Sequence, residues 1–166
     1  MPNLYLSASD ITVNNGSIIA RNNVVVEGDS VSNNGSTLLA RQDMSVGSQK
    51  EINNTGASQI KSAGSLQLAA VGDINNIGSA ISGGQVALES LNGSINNLTQ
   101  TTQTNNSSWR ARSLITEQDE KATITSLDSL SLAAGKNITL TSADIIAGGD
   151  TALSAAGNID ILANDN

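Results

Sequence analysis

The stretch Ile74-Asn75-Asn76-Ile77-Gly78-Ser79-Ala80-Ile81 contains the motif that organises this chain of 166 residues. Its pair of adjacent asparagines also occurs at Asn14-Asn15, Asn33-Asn34, Asn53-Asn54 and Asn96-Asn97. Successive pairs are separated by a nearly constant length of chain, which we call the repeat interval. An interval this regular is typical of an array in which each unit stacks on its neighbours.

Each repeat also contains short segments in which apolar and polar residues alternate, which is the pattern of half-buried β-strands. One set of apolar pairs is Val24/Val26, Met44/Val46, Leu66/Leu68, Val86/Leu88 and Leu130/Leu132. We interpret each repeat as about three strands of three to five residues joined by Gly, Asn and Ser turns. Such a repeat favours a parallel β-helix, in which equivalent residues stack about 4.8 Å apart. The 166 residues would form seven or eight coils.

A sheet of β-hairpins is the alternative, because Asn15-Gly16, Asn34-Gly35 and Asn92-Gly93 are typical of tight type I′ turns. A sheet of that kind gives no reason for a constant interval with three strands in each repeat. We therefore predict an all-β fold, a parallel β-helix whose interior is filled by Ile, Leu and Val. The asparagines are expected to stack in register and to hydrogen-bond along the axis.

Composition excludes several other classes of protein. Aromatic residues make up 1% of the chain, too few to fill the core of an ordinary globular enzyme. The 8 Lys and Arg against 15 Asp and Glu give a net charge of −7, which disfavours nucleic acid and anionic membranes as partners. The chain has neither Cys nor His, which removes thiolate chemistry and the commonest general base. No apolar run long enough to span a bilayer and no signal peptide are evident.

The repeat is interrupted between residues 98 and 121. A Thr/Gln-rich stretch, a turn sequence at residues 105–108 and an alternating stretch at residues 109–116 predict a β-hairpin or long loop that leaves the rod. A short helix over residues 111–120 is one alternative. Because Val86 and Leu130 are separated by about two repeat intervals, an irregular coil plus a loop is another. The predicted organisation is thus Asn-rich repeats over 1–97, the excursion over 98–123, and Ala/Gly-richer repeats over 124–166.

Trp109, with Arg110 and Arg112, is the candidate partner contact of the excursion. Trp and Arg are enriched where proteins bind one another. The alternative is that Trp109 folds back over one flank of the rod.

Other polar residues are interpreted as structural. Asp10 with Asp29 and Asp128 with Asp150 lie about one repeat apart, and a glycosidase would need two carboxylates about 5–9.5 Å apart. Solvated positions on the outside of the rod are the favoured interpretation, because few aromatic residues exist to bind a sugar. Gly148-Gly149-Asp150 lacks the third glycine and tandem copies of a calcium-binding nonapeptide, and predicts a corner. We expect no catalytic, cofactor-binding or metal-ligating residues, and no enzyme activity.

Three basic residues recur at the repeat interval. Arg21 and Arg41 occupy equivalent places, whereas Lys61 comes two places earlier in its repeat. We therefore expect the two arginines to stack with their side chains in water, and the row of cations to stop there.

Residues 74–81 resemble the repeats of filamentous haemagglutinins. So do Leu130-Ser131-Leu132-Ala133-Ala134-Gly135-Lys136-Asn137-Ile138-Thr139-Leu140 and residues 143–161, which include Ala147-Gly148-Gly149-Asp150 and Ala156-Gly157-Asn158-Ile159. Those proteins are large two-partner-secretion exoproteins of Gram-negative bacteria, among them the effectors of contact-dependent growth inhibition. The resemblance covers about residues 8–163 and implies a right-handed parallel β-helix. It also implies secretion through an outer-membrane transporter and a place in a long cell-surface filament.

The change of composition at residues 98–123 resembles the junction between two repeat classes in growth-inhibition effectors, of which the later class is associated with toxin delivery. We therefore expect a rod segment of a much longer exoprotein, which presents or helps to deliver adhesin or toxin regions. An adhesin module that binds a host or target-cell surface component is the alternative, and a carbohydrate-active β-helix enzyme is less favoured. The cut ends of a rod expose unpaired strand edges, so end-to-end self-association of the fragment is also expected.

Overall fold

The computed structural model describes residues 3–103, 117–141 and 144–162, which contain strands and no helix. The strands are β1 (Leu4–Asn14), β2 (Ser17–Ala20), β3 (Val24–Asn34), β4 (Thr37–Ala40), β5 (Met44–Ser48), β6 (Ile52–Thr55), β7 (Gln59–Ser62), β8 (Ser65–Ala70), β9 (Ile74–Ile77), β10 (Ala80–Gly83), β11 (Gln85–Ser90), β12 (Ile95–Leu98), β13 (Gln100–Gln103), β14 (Glu117–Glu120), β15 (Thr123–Ser126), β16 (Leu130–Ala134), β17 (Ile138–Thr141), β18 (Asp144–Ala147), β19 (Thr151–Ala155) and β20 (Ile159–Leu162).

These strands form a parallel β-solenoid with three faces, named A, B and C in the order in which the chain visits them. Face A contains the first halves of β1 and β3 with β5, β8, β11, β16 and β19. Face B contains the second halves of β1 and β3 with β6, β9, β12, β17 and β20. Face C contains β2, β4, β7, β10, β15 and β18. The predicted all-β parallel solenoid is confirmed, while its right-handed winding stays a prediction from the resemblance.

The number of turns is smaller than the sequence predicted. Among the described residues face C has six strands and faces A and B have seven each, so this part of the chain makes six full turns and part of a seventh, where seven or eight coils were expected. Ile74 pairs with Ile52 on one side and with Ile95 on the other, so ordinary coils keep the expected repeat interval. Val86, however, pairs directly with Leu130, although about two repeat intervals of chain separate them. The interpretation as an extra irregular coil is therefore wrong, because the excursion is an insertion within a single coil.

The excursion begins and ends as an antiparallel pair of strands. Gln100 lies opposite Glu120 in β13 and β14, and Gln103 lies opposite Glu117. The alternative of a helix over 111–120 is wrong at residues 117–120, which form β14, and residues 104–116 lie outside the described residues. The strands nearest the rod thus form the base of a β-hairpin at the corner between faces B and C.

The core is a narrow column of stacked aliphatic side chains. Each face supplies an inner row, and the largest fully buried members are Met44, Ile52, Ile60, Leu66, Leu68, Ile74, Ile81, Leu88, Ile95, Ile124, Leu130 and Leu132. Burying an aliphatic side chain of this size stabilises the fold by roughly 1.5–3 kcal/mol. A branched aliphatic side chain fits above its equivalent in the next coil, so the column fills without aromatic rings.

The Asn-Gly sequences form corners of the solenoid and not hairpin turns. Asn15 and Gly35 have φ values of 50° and 61° at the corner between faces B and C. A Cβ atom on Gly35 would lie 2.6 Å from Oδ1 of Asn15, so both conformation and space require glycine there. The hairpin alternative is wrong because the chain turns through this corner into the next face.

Candidate functional site

The most extensive polar arrangement is a row of buried asparagines along the axis, which we call the inner ladder. It consists of Asn33, Asn54, Asn76 and Asn97, each at most 2% exposed. The Nδ2 atom of each donates to Oδ1 of the next, at 3.0, 2.9 and 2.7 Å in chain order. The predicted hydrogen bonding of asparagines along the axis is confirmed.

The inner ladder also holds the corner between faces B and C. Asn76 Nδ2 donates to the carbonyl oxygens of Ser79 and Thr123, at 2.9 and 3.2 Å, so it joins its own coil to the next. Asn54 Nδ2 makes the equivalent bond to the carbonyl of Ala80 at 3.0 Å. Because buried amides cost free energy unless they are hydrogen-bonded, each rung depends on its neighbours.

The inner ladder ends at the excursion. Asn97 Nδ2 donates to the Ala122 carbonyl at 3.3 Å, and the next residue in the row is Leu140. At the other end Val13 precedes Asn33, whose Oδ1 is buried without a hydrogen-bond partner among the described residues. The polar row thus spans four coils, and aliphatic residues continue it beyond the hairpin.

The first asparagine of three pairs belongs to a separate outer ladder of half-buried side chains on face B. Asn96 Nδ2 donates to Asn75 Oδ1 at 2.8 Å, and Asn75 Nδ2 donates to Asn53 Oδ1 at 2.9 Å. Donation here runs toward the N-terminus, opposite to the inner ladder. In these pairs one asparagine faces inward and the other outward, because successive residues of a strand point to opposite sides.

Several Asp and Asn side chains support corners by accepting a backbone N–H from the next coil. Asp43 Oδ1 accepts from Ser65, and Asp73 Oδ1 accepts from Ser94, both at 2.8 Å. Asn137 Oδ1 makes the same contact with the Asn158 N–H at 2.8 Å. The carboxylates of Asp43 and Asp73 therefore serve as hydrogen-bond acceptors that stabilise the solenoid.

The register does not align either of the carboxylate pairs that the sequence offered as a glycosidase alternative. Asp10 lies opposite Ser30, whose hydroxyl donates to it at 2.7 Å, so Asp29 is one position away. Leu130 pairs with Thr151, so Asp150 lies level with Ser129 and is one position away from Asp128 as well.

The described part of the chain contains no group of three or more Asp, Glu, His or Cys side chains arranged to hold a metal ion.

The basic residues lie as the repeat predicted. Ala20 pairs with Ala40, and the Arg41 N–H donates to the Ala20 carbonyl at 3.1 Å, so Arg21 and Arg41 are adjacent in space and both exposed. Lys61 pairs with Leu39 and not with Arg41, so the row of cations ends as expected.

The candidate contact residues Trp109, Arg110 and Arg112 lie outside the described residues, and their role stays a prediction. The structure shows how the excursion is joined to the rod. At the base of the hairpin formed by β13 and β14, the Ala122 N–H donates to Oγ1 of Thr99 at 3.3 Å.

One outer contact was missed by the sequence analysis. The hydroxyl of Tyr5 donates to Oε2 of Glu27 at 3.1 Å. This hydrogen bond, together with the negative charge of Glu27, raises the pKa of Tyr5 above its usual value. Tyr5 pairs with Val25 in the next coil, and Glu27 lies two residues further along that strand. The spacing in the sequence therefore gave only a weak indication of this contact.

Two outer grooves arise where one or two successive coils carry small residues between coils with larger ones. A cavity of about 440 Å³ on face A has Gly47 and Ala69 between Glu27 and Glu89. A cavity of about 540 Å³ on face C follows β10. Sequence reasoning missed both grooves because they depend on which coils are adjacent.

No helix of the described residues is both long and apolar enough to cross a membrane.

The haemagglutinin repeat family matches residues 3–56, 48–108 and 99–163. No solved structure matches the chain.

Three relatives illustrate the similarity to known proteins. The chain is 45% identical over 168 residues to the tRNA nuclease CdiA of Escherichia coli O6:K15:H31, covering 99% of this chain and 5% of that protein. It is 43% identical over 145 residues to the 16S rRNA endonuclease CdiA of Enterobacter cloacae subsp. cloacae, covering 87% and 4%. It is 42% identical over 163 residues to the toxin CdiA of Escherichia coli, covering 98% and 5%. The chain therefore spans only about one twentieth of the length of these relatives.

Proposed function

Because the chain belongs to the haemagglutinin repeat family, we propose that it is a structural rod segment of a large contact-dependent growth inhibition exoprotein. The observation that carries this proposal is the unbroken stacking of six turns, in which backbone, aliphatic core and asparagine amides are all used to join one coil to the next. The full-length protein is secreted or displayed at the surface of a Gram-negative bacterium. It works with an outer-membrane transporter of the two-partner type.

In this proposal the segment itself is not an enzyme. Two of the relatives are named nucleases, and this chain corresponds to about 5% and 4% of their lengths. The rod presents or helps to deliver such an activity from elsewhere in the long protein. In support, Asp43 and Asp73 accept backbone hydrogen bonds at corners, where they stabilise the coil stack.

The mechanism is templated growth of the solenoid. Each coil offers open backbone groups and an aliphatic edge to the coil that follows it along the chain, and the coils of the inner ladder add an Asn Nδ2 donor. Folding one coil after another outside the cell would favour outward movement of the chain through the transporter.

The proposal is tested by deletions in the full-length protein that either preserve or break the coil register. Removing residues 66–85 takes out the whole interval between the paired Leu66 and Val86, so the remaining coils still stack. Removing residues 66–75 takes out half a coil and joins Ser65 to Asn76, so the corner at Gly78 and Ser79 falls opposite the middle of β5. We expect the first variant to be displayed and to inhibit target cells, and the second to lose both properties. Normal display and inhibition by the half-coil variant would contradict the rod role.

The partners of the full-length protein are proposals of the same kind. They are the transporter and a component of the target-cell surface, while the excised 166-residue segment associates end to end. Ile159 and Ile161 in the last described strand are 43% and 72% exposed, which supports association at that end. A concentration-dependent increase in sedimentation coefficient is expected for the segment, and a constant monomer value would contradict it.

A further inference from the structure

A groove crosses face C along β10, and we call it the β10 groove. Its floor is formed by the small outward-facing residues Ala80 and Ser82 and ends at Gly83. Strands are about 4.8 Å apart, so the walls on either side are about 10 Å apart. The walls are formed by the residues that pair with Ala80 and Ser82. These are Gln59 and Lys61 from β7 on one side, and Thr123 and Thr125 from β15 on the other, where Leu127 extends the wall.

The β10 groove continues around the corner toward the excursion. A second cavity of about 190 Å³ shares Gln59 and Ala80 with the main cavity of about 540 Å³ and reaches Gly78 and Lys121. The two cavities together follow the chain from Gly78 to Gly83, which gives a channel of at most about 20 Å, the length of about six extended residues.

Polar groups in the β10 groove are available for a ligand. The side chains of Gln59, Ser82, Thr123 and Thr125 make no hydrogen bond with any other described residue. The exposed ammonium group of Lys61 likewise has no ion pair or hydrogen bond within the described part of the chain. No described Asp or Glu lines either cavity, although the chain carries a net charge of −7. The β10 groove thus presents one unpaired cation, Lys61, and no carboxylate of the described residues.

We infer that the β10 groove binds an extended acidic segment of a partner polypeptide, a role that goes beyond the rod function and does not depend on it. The width admits one extended chain lying parallel to β10. The hydroxyl and amide side chains can pair with a peptide backbone, and Lys61 meets a carboxylate. Leu127, which is 77% exposed, supplies an apolar contact at one end.

An anionic glycan is less well matched to the same groove. Pyranose rings bind best against the faces of aromatic side chains, and no aromatic residue lines either cavity. An acidic peptide needs only the hydrogen-bonding groups and the cation that are present.

The inference is tested by fluorescence anisotropy with a labelled ten-residue peptide that alternates serine and aspartate. We expect saturable binding at low salt, with a dissociation constant on the order of 0.1–1 mM, which weakens as salt increases. Lys61→Glu should weaken binding about tenfold or more, since a like charge then faces the peptide. Ser82→Leu should also weaken binding about tenfold or more, because the larger side chain occupies the space above the floor of the groove. Circular dichroism checks that both variants keep the solenoid.

Lys50→Glu is the matched control, because Lys50 is also exposed and lies outside the groove. It makes the same change of net charge and should leave binding within about twofold, since surface charges beyond about 10 Å are largely screened. Absence of saturable binding to the unmodified chain would overturn the inference, as would equal weakening by Lys50→Glu and Lys61→Glu. Stronger binding of polygalacturonate than of the peptide, lost in Ser82→Leu, would replace the peptide with a glycan.

Discussion

Substituting a middle rung of the inner ladder should destabilise the solenoid far more than substituting its neighbour in the same strand. Asn76 is the most connected rung: its Nδ2 donates to Asn97 Oδ1 at 2.7 Å and to the carbonyls of Ser79 and Thr123. Its Oδ1 accepts from Asn54 Nδ2 at 2.9 Å. Asn76→Leu keeps a similar side-chain volume and removes all four contacts.

The magnitude follows from which atoms lose a partner. Asn97 Oδ1 would be left buried and unpaired, at a cost of roughly 1–3 kcal/mol, whereas Asn54 Nδ2 keeps its bond to Ala80. Each further bond lost costs about 0.5–1.5 kcal/mol, and burial of the apolar side chain offsets part of the total. We expect Asn76→Leu to lower the free energy of unfolding by about 3 kcal/mol.

Two variants serve as matched controls. Asn75→Leu replaces the half-buried outer asparagine beside it, where water can take over the lost bonds, and should cost less than about 1 kcal/mol. Asn97→Leu replaces the last rung, next to Leu140, and should cost about 1 kcal/mol because Asn76 keeps its other acceptors.

Urea unfolding followed by circular dichroism measures these differences, and native-state hydrogen exchange locates them along the rod. Exchange should accelerate most in the coils next to position 76. The reasoning is refuted if the variants at positions 75 and 76 lose the same stability, or if the end rung costs as much as the middle one.

Three further predictions concern other parts of the solenoid. Val13→Asn should extend the inner ladder and supply a donor to the unpaired Oδ1 of Asn33, raising the free energy of unfolding by about 1 kcal/mol in urea titrations. Gly35→Ala should destabilise the rod by about 1–3 kcal/mol, measured as a lower thermal midpoint, because its φ is 61° and the added Cβ meets a side chain. Spectrophotometric titration should show the pKa of Tyr5 raised, and lowered toward about 10 by Glu27→Gln. Because the folded-state pKa is the higher one, the contact stabilises the fold below about pH 10 and is lost as the pH rises through the folded-state pKa.

Each of these predictions has its own control. Val13→Leu adds no hydrogen-bond donor and should not show the increase in the free energy of unfolding that a bond to Asn33 provides. An increase equal to that of Val13→Asn would contradict the ladder explanation. Gly47→Ala adds a Cβ whose nearest neighbour is 4.0 Å away, and an equal loss there would contradict the steric argument for Gly35. The urea-unfolded chain provides the reference titration for Tyr5, and coincident folded and unfolded curves would contradict the contact with Glu27.

The repeat sequence predicted most of the architecture because every coil is specified by the same short pattern of alternating apolar and polar residues. Alternation around Val24, Leu66 and Leu130 indicates which residues face inward, and a one-residue shift would turn the whole set outward. The Asn-Gly dipeptides were ambiguous, because left-handed conformations suit both hairpin turns and coil corners.

The candidate site was less predictable than the fold. Trp109, Arg110 and Arg112 stand out by composition, but composition does not place a side chain. The β10 groove was not foreseen, because its depth depends on Ala80 and Ser82 lying between bulkier residues that are one or two repeat intervals away in the chain.

The sequence by itself determined the repeat interval, the three strands in each coil, the aliphatic interior and the axial stacking of asparagines. These follow from side-chain alternation and from the need of identical units to bury one edge against another. Only the tertiary structure decided that Val86 pairs with Leu130, that the inner ladder donates toward the C-terminus, and that the outer ladder donates the other way. The physical reason is that a buried amide is oriented by the carbonyl groups around it, and those come from the corner of its own coil and from the next coil, not from its own strand.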